Sequence, residues 1–165
     1  MSARDAIIEP MPVRPATAAD VDAIVPMIAK TCAFHQAANP RKYPFLPHPE
    51  RGYGNWLRRC AGDPSCVFLV GTHSGEVVAF LIATIEDEIP IYRIKRYGFI
   101  QDLWVEEAYR RHGLAKELLA ETVRRFADMQ INQVRLDVLE HNEPARQLFA
   151  SCGFRTSIVE MIHEV

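Results

Sequence analysis

The chain has 165 residues, room for one domain of ordinary size, since domains usually run to about 100–200 residues. Apolar residues make up 48% and charged residues 24%, a balance that supports a packed core and excludes disordered and collagen-like classes. With 19 Lys and Arg against 21 Asp and Glu the net charge is -2, so no global positive field collects nucleic acid or anionic lipid, and any anion site must be local.

The longest near-unbroken apolar run, Val77 to Ile85, is far short of the roughly 20 residues that a membrane helix needs, so no membrane partner is expected. Met1 to Val13 carries Arg4, Asp5 and Glu9 and no apolar stretch of the secretory kind, which makes the cytoplasm the expected compartment. Cys32, Cys60, Cys66 and Cys152 form no C-x-x-C pair and are read as reduced thiols. Cys60 and Cys66 flank Gly62-Asp63-Pro64 and would bridge that loop only in an oxidising compartment. The histidines His35, His48, His73, His112, His141 and His163 lack ligand spacing, so no metal is expected.

Val13-Arg14-Pro15 reads as a short extended entry. Thr17 follows as a helix N-cap, with Asp20 in the capping-box position. Val21, Ile24, Val25, Ile28 and Ala29 recur at helical spacing from about Ala18, with Pro26 as a kink and an end near Cys32. Between Phe34 and Tyr53 the prolines at 40, 44, 47 and 49 predict a long loop, and such a loop in a compact domain tends to cover a site. A short helix is expected over Gly54 to Cys60, stopped by Ala61-Gly62-Asp63-Pro64. Cys66 to Val70 and Val77 to Ile85, joined by His73-Ser74-Gly75-Glu76, form a β-hairpin. After a charged stretch from Glu86 to Arg96 comes a strand over Tyr97 to Val105.

From about Gly113 a long amphipathic helix presents Ala115, Leu118, Leu119, Thr122, Val123 and Phe126 on one face and Lys116, Glu117, Glu121, Arg124 and Arg125 on the other. A strand over Val134 to Leu139, a short helix over Glu143 to Ser151 and a last strand over Phe154 to Ile162 complete the chain. This order describes an α/β domain with a mixed sheet and a strand-helix-strand crossover in its second half. The turn before the long helix, Glu106 to Lys116, contains Arg111-x-Gly113-x-Ala115 preceded by Arg110. Small residues there let unpaired amides of the first helical turn converge on an anion, and Arg110, Arg111 and Lys116 add positive charge. The pattern is neither G-x-G-x-x-G nor a P-loop, so a phosphate cradle of another kind is implied. Downstream, Asn142 reads as an N-cap with Pro144 in the first turn, and Gly153 ends the helix.

Ile100 to Val105, followed by Arg110-Arg111-His112-Gly113-Leu114-Ala115 at the head of an amphipathic helix, resembles the acetyl-coenzyme A motif of the GCN5-related N-acetyltransferases. Asn142 to Phe154 resembles that family's second motif, and Val13 to Thr17 with Asp20 its usual opening. The resemblance covers essentially residues 1–165 as one GNAT-like domain, with a mixed, mostly antiparallel sheet flanked by helices. It is specific from Phe99 to Phe154 and loose from Phe34 to Arg96, where residues 34–53 and 86–96 would shape the acceptor site.

The resemblance implies acetyl-CoA as donor and an amine-bearing small molecule or peptide as acceptor, in a family where homodimers are common. Leu103, Trp104 and Val105 would hold the pantetheine arm through backbone groups. Arg111, His112, Gly113, Leu114, Ala115 and Lys116 would hold the pyrophosphate, with Arg110 flanking and Asn142, Ala145 and Phe149 reaching the cofactor from the second motif. The strand before the motif would carry a bulge, which the sequence does not display.

Attack of a neutral amine on the thioester needs a proton acceptor and a donor for the oxyanion. By resemblance an amide near Val105 is the oxyanion donor. Asp102 is the first candidate base, with Glu86 and Glu88 as alternatives, and strand alternation sets Asp102 and Gln101 on opposite faces unless a bulge intervenes. Many relatives carry tyrosine where Phe149 stands, and phenylalanine donates no proton to the departing thiolate. Tyr92, Tyr97 or water would substitute.

Each feature has a plainer reading. Arg110 and Arg111 taken alone are a solvated pair, Asp102 an ion-pair partner, Cys152 a core thiol, and Glu86-Asp87-Glu88 a wet loop. Two functions follow: N-acetyl transfer by direct attack, or a CoA-binding regulatory module without turnover. A nucleotide-binding domain is a distant third.

Overall fold

A computed structural model describes residues 10–165, so most of the N-terminal stretch read for a secretory signal lies outside the described residues. Its elements in chain order are β1 (Val13–Pro15), α1 (Val21–Ala38), α2 (Pro49–Cys60), β2 (Cys66–His73), β3 (Glu76–Asp87), β4 (Arg96–Val105), α3 (Leu114–Asp128), β5 (Val134–Leu136) and α4 (Glu143–Ser151). The strands form one sheet in the order β1-β2-β3-β4-β5. All pairings are antiparallel except β4 with β5, the two strands joined by the α3 crossover. No helix among the described residues is long and apolar enough to cross a membrane.

The sheet is buried on both faces because apolar side chains fill every position along the middle of β2 and β3. One face carries Phe68, Val70, Phe80 and Ile82 against Val21, Ile24, Ile28 and Leu57 of α1 and α2. The other carries Val67, Leu69, Leu81 and Ala83 against Leu114, Leu118 and Phe126 of α3. Two glycines admit α3 to this second face: a Cβ at Gly71 would meet Leu114 at 2.7 Å, and one at Gly98 would meet the Phe126 ring at 2.5 Å. At the chain's entry Asp20 accepts from the Thr17 amide at 2.7 Å and pairs with Arg14 at 2.7 Å.

Several expected boundaries are corrected. The first helix does not fade near Cys32 but runs to Ala38 with Pro26 inside it, and the second starts at Pro49 rather than Gly54. Proline is accepted in a first helical turn because the amide it lacks has no intrahelical partner there. The irregular stretch expected over 34–53 shrinks to residues 39–48, and β3 continues through Glu86 and Asp87, which read as loop. Val123 of α3 is 41% exposed and lies outside the apolar stripe. The strand expected over Val134 to Leu139 ends at Leu136. The strand expected over Phe154 to Ile162 does not form: no described strand pairs with it, and Ile158, Val159 and Met161 are exposed. Two ion pairs, Lys42 with Glu160 and Arg41 with Glu164, tie that segment to the α1–α2 connection instead.

Candidate cofactor and acceptor site

The site begins with an irregularity in β4. Ile82 pairs with Asp102 but Ala83 pairs with Ile100, so Gln101 has no partner on β3 and β4 bulges there. The bulge changes side-chain parity. Ile100 lies in the α3-side core and so does Leu103, while Trp104 packs on the α1–α2 side. Gln101 donates to Thr84 Oγ1 at 2.9 Å, and Asp102 meets Tyr53 of α2. The bulge is the exception that strict alternation allowed for, and with it both Gln101 and Asp102 turn to the α1–α2 side.

Below the bulge β4 loses a neighbour. β5 pairs only with Gly98, Phe99 and Ile100, so from Gln101 onward β4 has β3 on one edge and, among the described residues, no strand on the other. The Glu106 amide donates to Val78 O at 2.9 Å, which makes that position a hydrogen-bonded antiparallel pair. Because such pairs alternate, Leu103 and Val105 turn their backbone groups away from β3, toward the open edge. The Val105 carbonyl already accepts from Arg110 Nε at 2.9 Å on that account, and its amide faces the slot.

The open edge leads to the turn before α3. Arg111 has a φ of 67° and Gly113 a φ of 88°, the left-handed conformations that curl successive amides around a concavity. The first intrahelical bond is Glu117 N to Gly113 O at 3.1 Å, so the amides of Leu114, Ala115 and Lys116 precede the ladder. A Cβ built on Gly113 meets nothing within 4 Å: the space in front of the turn is open. Arg111, His112 and Lys116 are exposed around it, whereas Leu114 is 2% exposed and offers only its backbone. The Arg110 guanidinium lies over the Trp104 ring, 4.9 Å from its centroid, beside a shallow cavity lined by Lys30, Glu106 and Ala108.

α4 follows β5 and packs on the α3-side core through Leu148 and Phe149. Asn142 Oδ1 caps this helix by accepting from the Ala145 amide at 3.3 Å. Phe149 packs edge-on against Phe154 with centroids 5.9 Å apart and joins the α3-side core, together with Cys152.

The three candidate carboxylates separate clearly. Asp102 is partly buried, meets no Lys or Arg among the described residues, and has its pKa pushed up to about 6 by burial, against the opposing pull of the Tyr53 hydrogen bond. Glu86 accepts from Thr84 Oγ1 at 2.6 Å, next to Gln101 on the same side of the sheet. Glu88 is paired with Arg135 of β5 at 2.5 Å, and that guanidinium stacks 3.8 Å from the centroid of Tyr97. Tyr97 is therefore committed to packing at the other end of β4, and Tyr92 is 52% exposed in the connection after β3. Tyr53, reached from 49 residues earlier, is the participant that the sequence reading missed. Its signal was weak: one aromatic at the edge of a proline-rich stretch taken as loop.

Residues 31–154 match the sequence model of the acetyltransferase (GNAT) family. Over 86 residues, 52% of this chain, the sequence is 34% identical to the uncharacterized N-acetyltransferase YycN of Bacillus subtilis (strain 168), and the aligned stretch spans 53% of that relative, about half its length. The tetramutant of the BH1408 protein from Bacillus halodurans superposes with a TM-score of 0.79 at 18% identity, covering 94% of this chain and 100% of the other. A predicted acetyltransferase from Clostridium acetobutylicum, solved with acetyl-CoA, gives 0.73 at 18% identity, covering 94% of this chain and 96% of that one. At such identities these structures speak for the fold.

Proposed function

Because the chain belongs to the acetyltransferase (GNAT) family, we propose that it transfers the acetyl group of acetyl-CoA to a primary amine of a small molecule or peptide by direct attack. The observation that carries this reading is the continuity of the site. Amides that precede the helical ladder at the head of α3 open onto a one-sided strand edge, near a partly buried carboxylate that has no basic partner among the described residues. The acetyl-CoA in the Clostridium acetobutylicum structure supports the choice of donor.

On this reading the amides of Leu114, Ala115 and Lys116, with Arg111, His112 and the opening left by Gly113, hold the diphosphate, and Arg110 braces the turn through Val105 and Trp104. The outward groups of Leu103 and Val105 pair with the amides of the pantetheine arm as an added strand would. Asn142, Ala145 and Phe149 border the arm from α4. The Val105 amide faces the oxygen that gains charge as the amine adds to the thioester carbonyl. Asp102 takes the proton that the amine sheds, and a carboxylate poised near neutral pH suits that task better than an ordinary one. Glu86, anchored by Thr84 and Gln101, orients the acceptor or its water, and Glu88 holds β5 through Arg135. The thiolate leaves with a solvent proton, since thiols titrate near ~8.5 and need no strong acid at neutral pH.

Release of free thiol from acetyl-CoA, followed across a panel of primary amines, tests the proposal. Amine-dependent turnover is expected. Tight acetyl-CoA binding with no turnover on any amine would instead favour a CoA-binding regulatory module, a reading that the apolar packing of Phe149 keeps in view.

A further inference from the structure

Asp102 is an unusual carboxylate for its surroundings. Cys32 of α1, Tyr43 of the α1–α2 connection and Tyr53 of α2 lie near it, and Glu50 lies beyond Cys32. From β3 comes Glu86, through Thr84 and Gln101. Asp137 approaches Tyr43 from the end of β5. Of the bases in the same region, His35 stacks on Tyr43 with centroids 5.0 Å apart, and Lys42 is paired with Glu160. Among the described residues no cation balances the Asp102 charge, so its hydrogen bond with Tyr53 is the principal polar contact that favours ionisation.

Tyr53 is itself held firmly. Its ring meets Trp56 edge-on with centroids 5.0 Å apart and packs against the α1–α2 core. The next residue, Gly54, lets α2 approach α1 so closely that an added Cβ would lie 3.0 Å from Val25. The hydroxyl donates to Oδ2 of Asp102, and no donor among the described residues reaches Oδ1.

We propose that Tyr53 is a positioning residue for Asp102: its hydroxyl, fixed on α2, occupies one carboxylate oxygen and leaves the other free to receive the proton of the acceptor amine. The inference rests on the acetyl-transfer reading above and adds to it the group that sets the working pH of the base. During the reaction the amine proton passes to Oδ1, while Tyr53 keeps its own. Burial and the neighbouring Asp102 charge raise the phenol well above its ordinary value, so it stays a neutral donor throughout. Since the hydrogen bond stabilises the charged form of Asp102, removing it must raise the carboxyl's titration point further.

The test is the pH profile of kcat/KM for Tyr53→Phe, with the titration of the Asp102 carboxyl followed by 13C NMR as a readout independent of turnover. The acid limb, and the NMR titration with it, should move up by about one pH unit, with kcat at pH 6 falling about fivefold. The KM for acetyl-CoA should stay within twofold. Replacing Tyr53 with 3-fluorotyrosine, a stronger donor, should move both titrations down, and this serves if the phenylalanine variant folds poorly. An unmoved Asp102 titration in both variants would overturn the proposal and leave acetyl transfer intact. An acid limb that survives in Asp102→Asn would overturn both the base assignment and the role of Tyr53. Failure of acetyl-CoA to bind wild-type protein would strike the parent reading alone, because the NMR titration would still report on Tyr53.

Discussion

The two ends of the site are built in opposite ways. The end at the head of α3 uses main-chain groups: left-handed turns at Arg111 and Gly113, amides that precede the helical ladder, and a strand edge that lacks a neighbour. The acceptor end uses side chains delivered by separate elements, with Asp102 from β4, Tyr53 from α2, Tyr43 from the α1–α2 connection and Glu86 from β3. Main-chain recognition tolerates any residue that permits the backbone path, and it suits a donor whose handle never changes. Side-chain recognition can be rewritten one residue at a time. On the proposed reading, the constant and the adaptable halves of one reaction share a single strand just past one bulge.

The sharpest way to break this contrast is Gly113→Glu. The position has a φ of 88° and open space before it, so the substitution strains the turn and puts negative charge where the diphosphate would lie. Loss of measurable acetyl-CoA binding by calorimetry is expected. Unchanged affinity would mean that the turn is not the cradle.

Asp102→Asn should spare that end and damage the other. Turnover should fall by about 10²–10⁴-fold, the usual contribution of a positioned base, with acetyl-CoA affinity kept. Its effect on stability has the opposite sign. The folded pKa lies above the ordinary 3.8, at about 6, so the buried carboxylate costs stability once the pH rises through that interval. Chemical denaturation should find the variant more stable than wild type by about 3 kcal/mol at pH 8 and nearly equal at pH 3. Equal stability at both would show that burial does not oppose the charge.

Gly71→Ala probes the joint between the halves. Its Cβ would meet Leu114 at 2.7 Å, forcing the first residue of α3 to shift. A loss of about 1–3 kcal/mol is expected, as for other overpacked cores, together with a several-fold weaker grip on acetyl-CoA. Destabilisation with unaltered affinity would separate the core from the cradle. The smallest effect belongs to Glu88→Gln, which breaks an ion pair with Arg135 rather than a reacting group. Its kcat should stay within about twofold of wild type, as a partly exposed pair contributes little.

How legible each half was in the sequence follows from the same contrast. The spacing of Arg111, Gly113 and Ala115 ahead of an amphipathic run marks a local structure, and Asn142 and Gly153 bound α4 by capping chemistry that acts within a few residues. The two-faced burial of β2 and β3 is written in their unbroken apolar runs. The Gln101 bulge carries no local signal, because any residue can be the extra one and only the register with β3 reveals it. Tyr53 was hidden for a related reason. Proline at 49 suggested loop, whereas it opens α2, and the meeting of that helix with β4 is a tertiary fact. The final expected strand failed because alternation alone cannot supply a neighbour to pair with.

The short pairing of β5 has one more consequence. Among the described residues no strand pairs with the outer edge of β4 beyond Ile100, and natural sheets usually guard such borders because an extended peptide can add to them. If the donor's arm lies along that edge as proposed, it also shields those main-chain groups from strand addition.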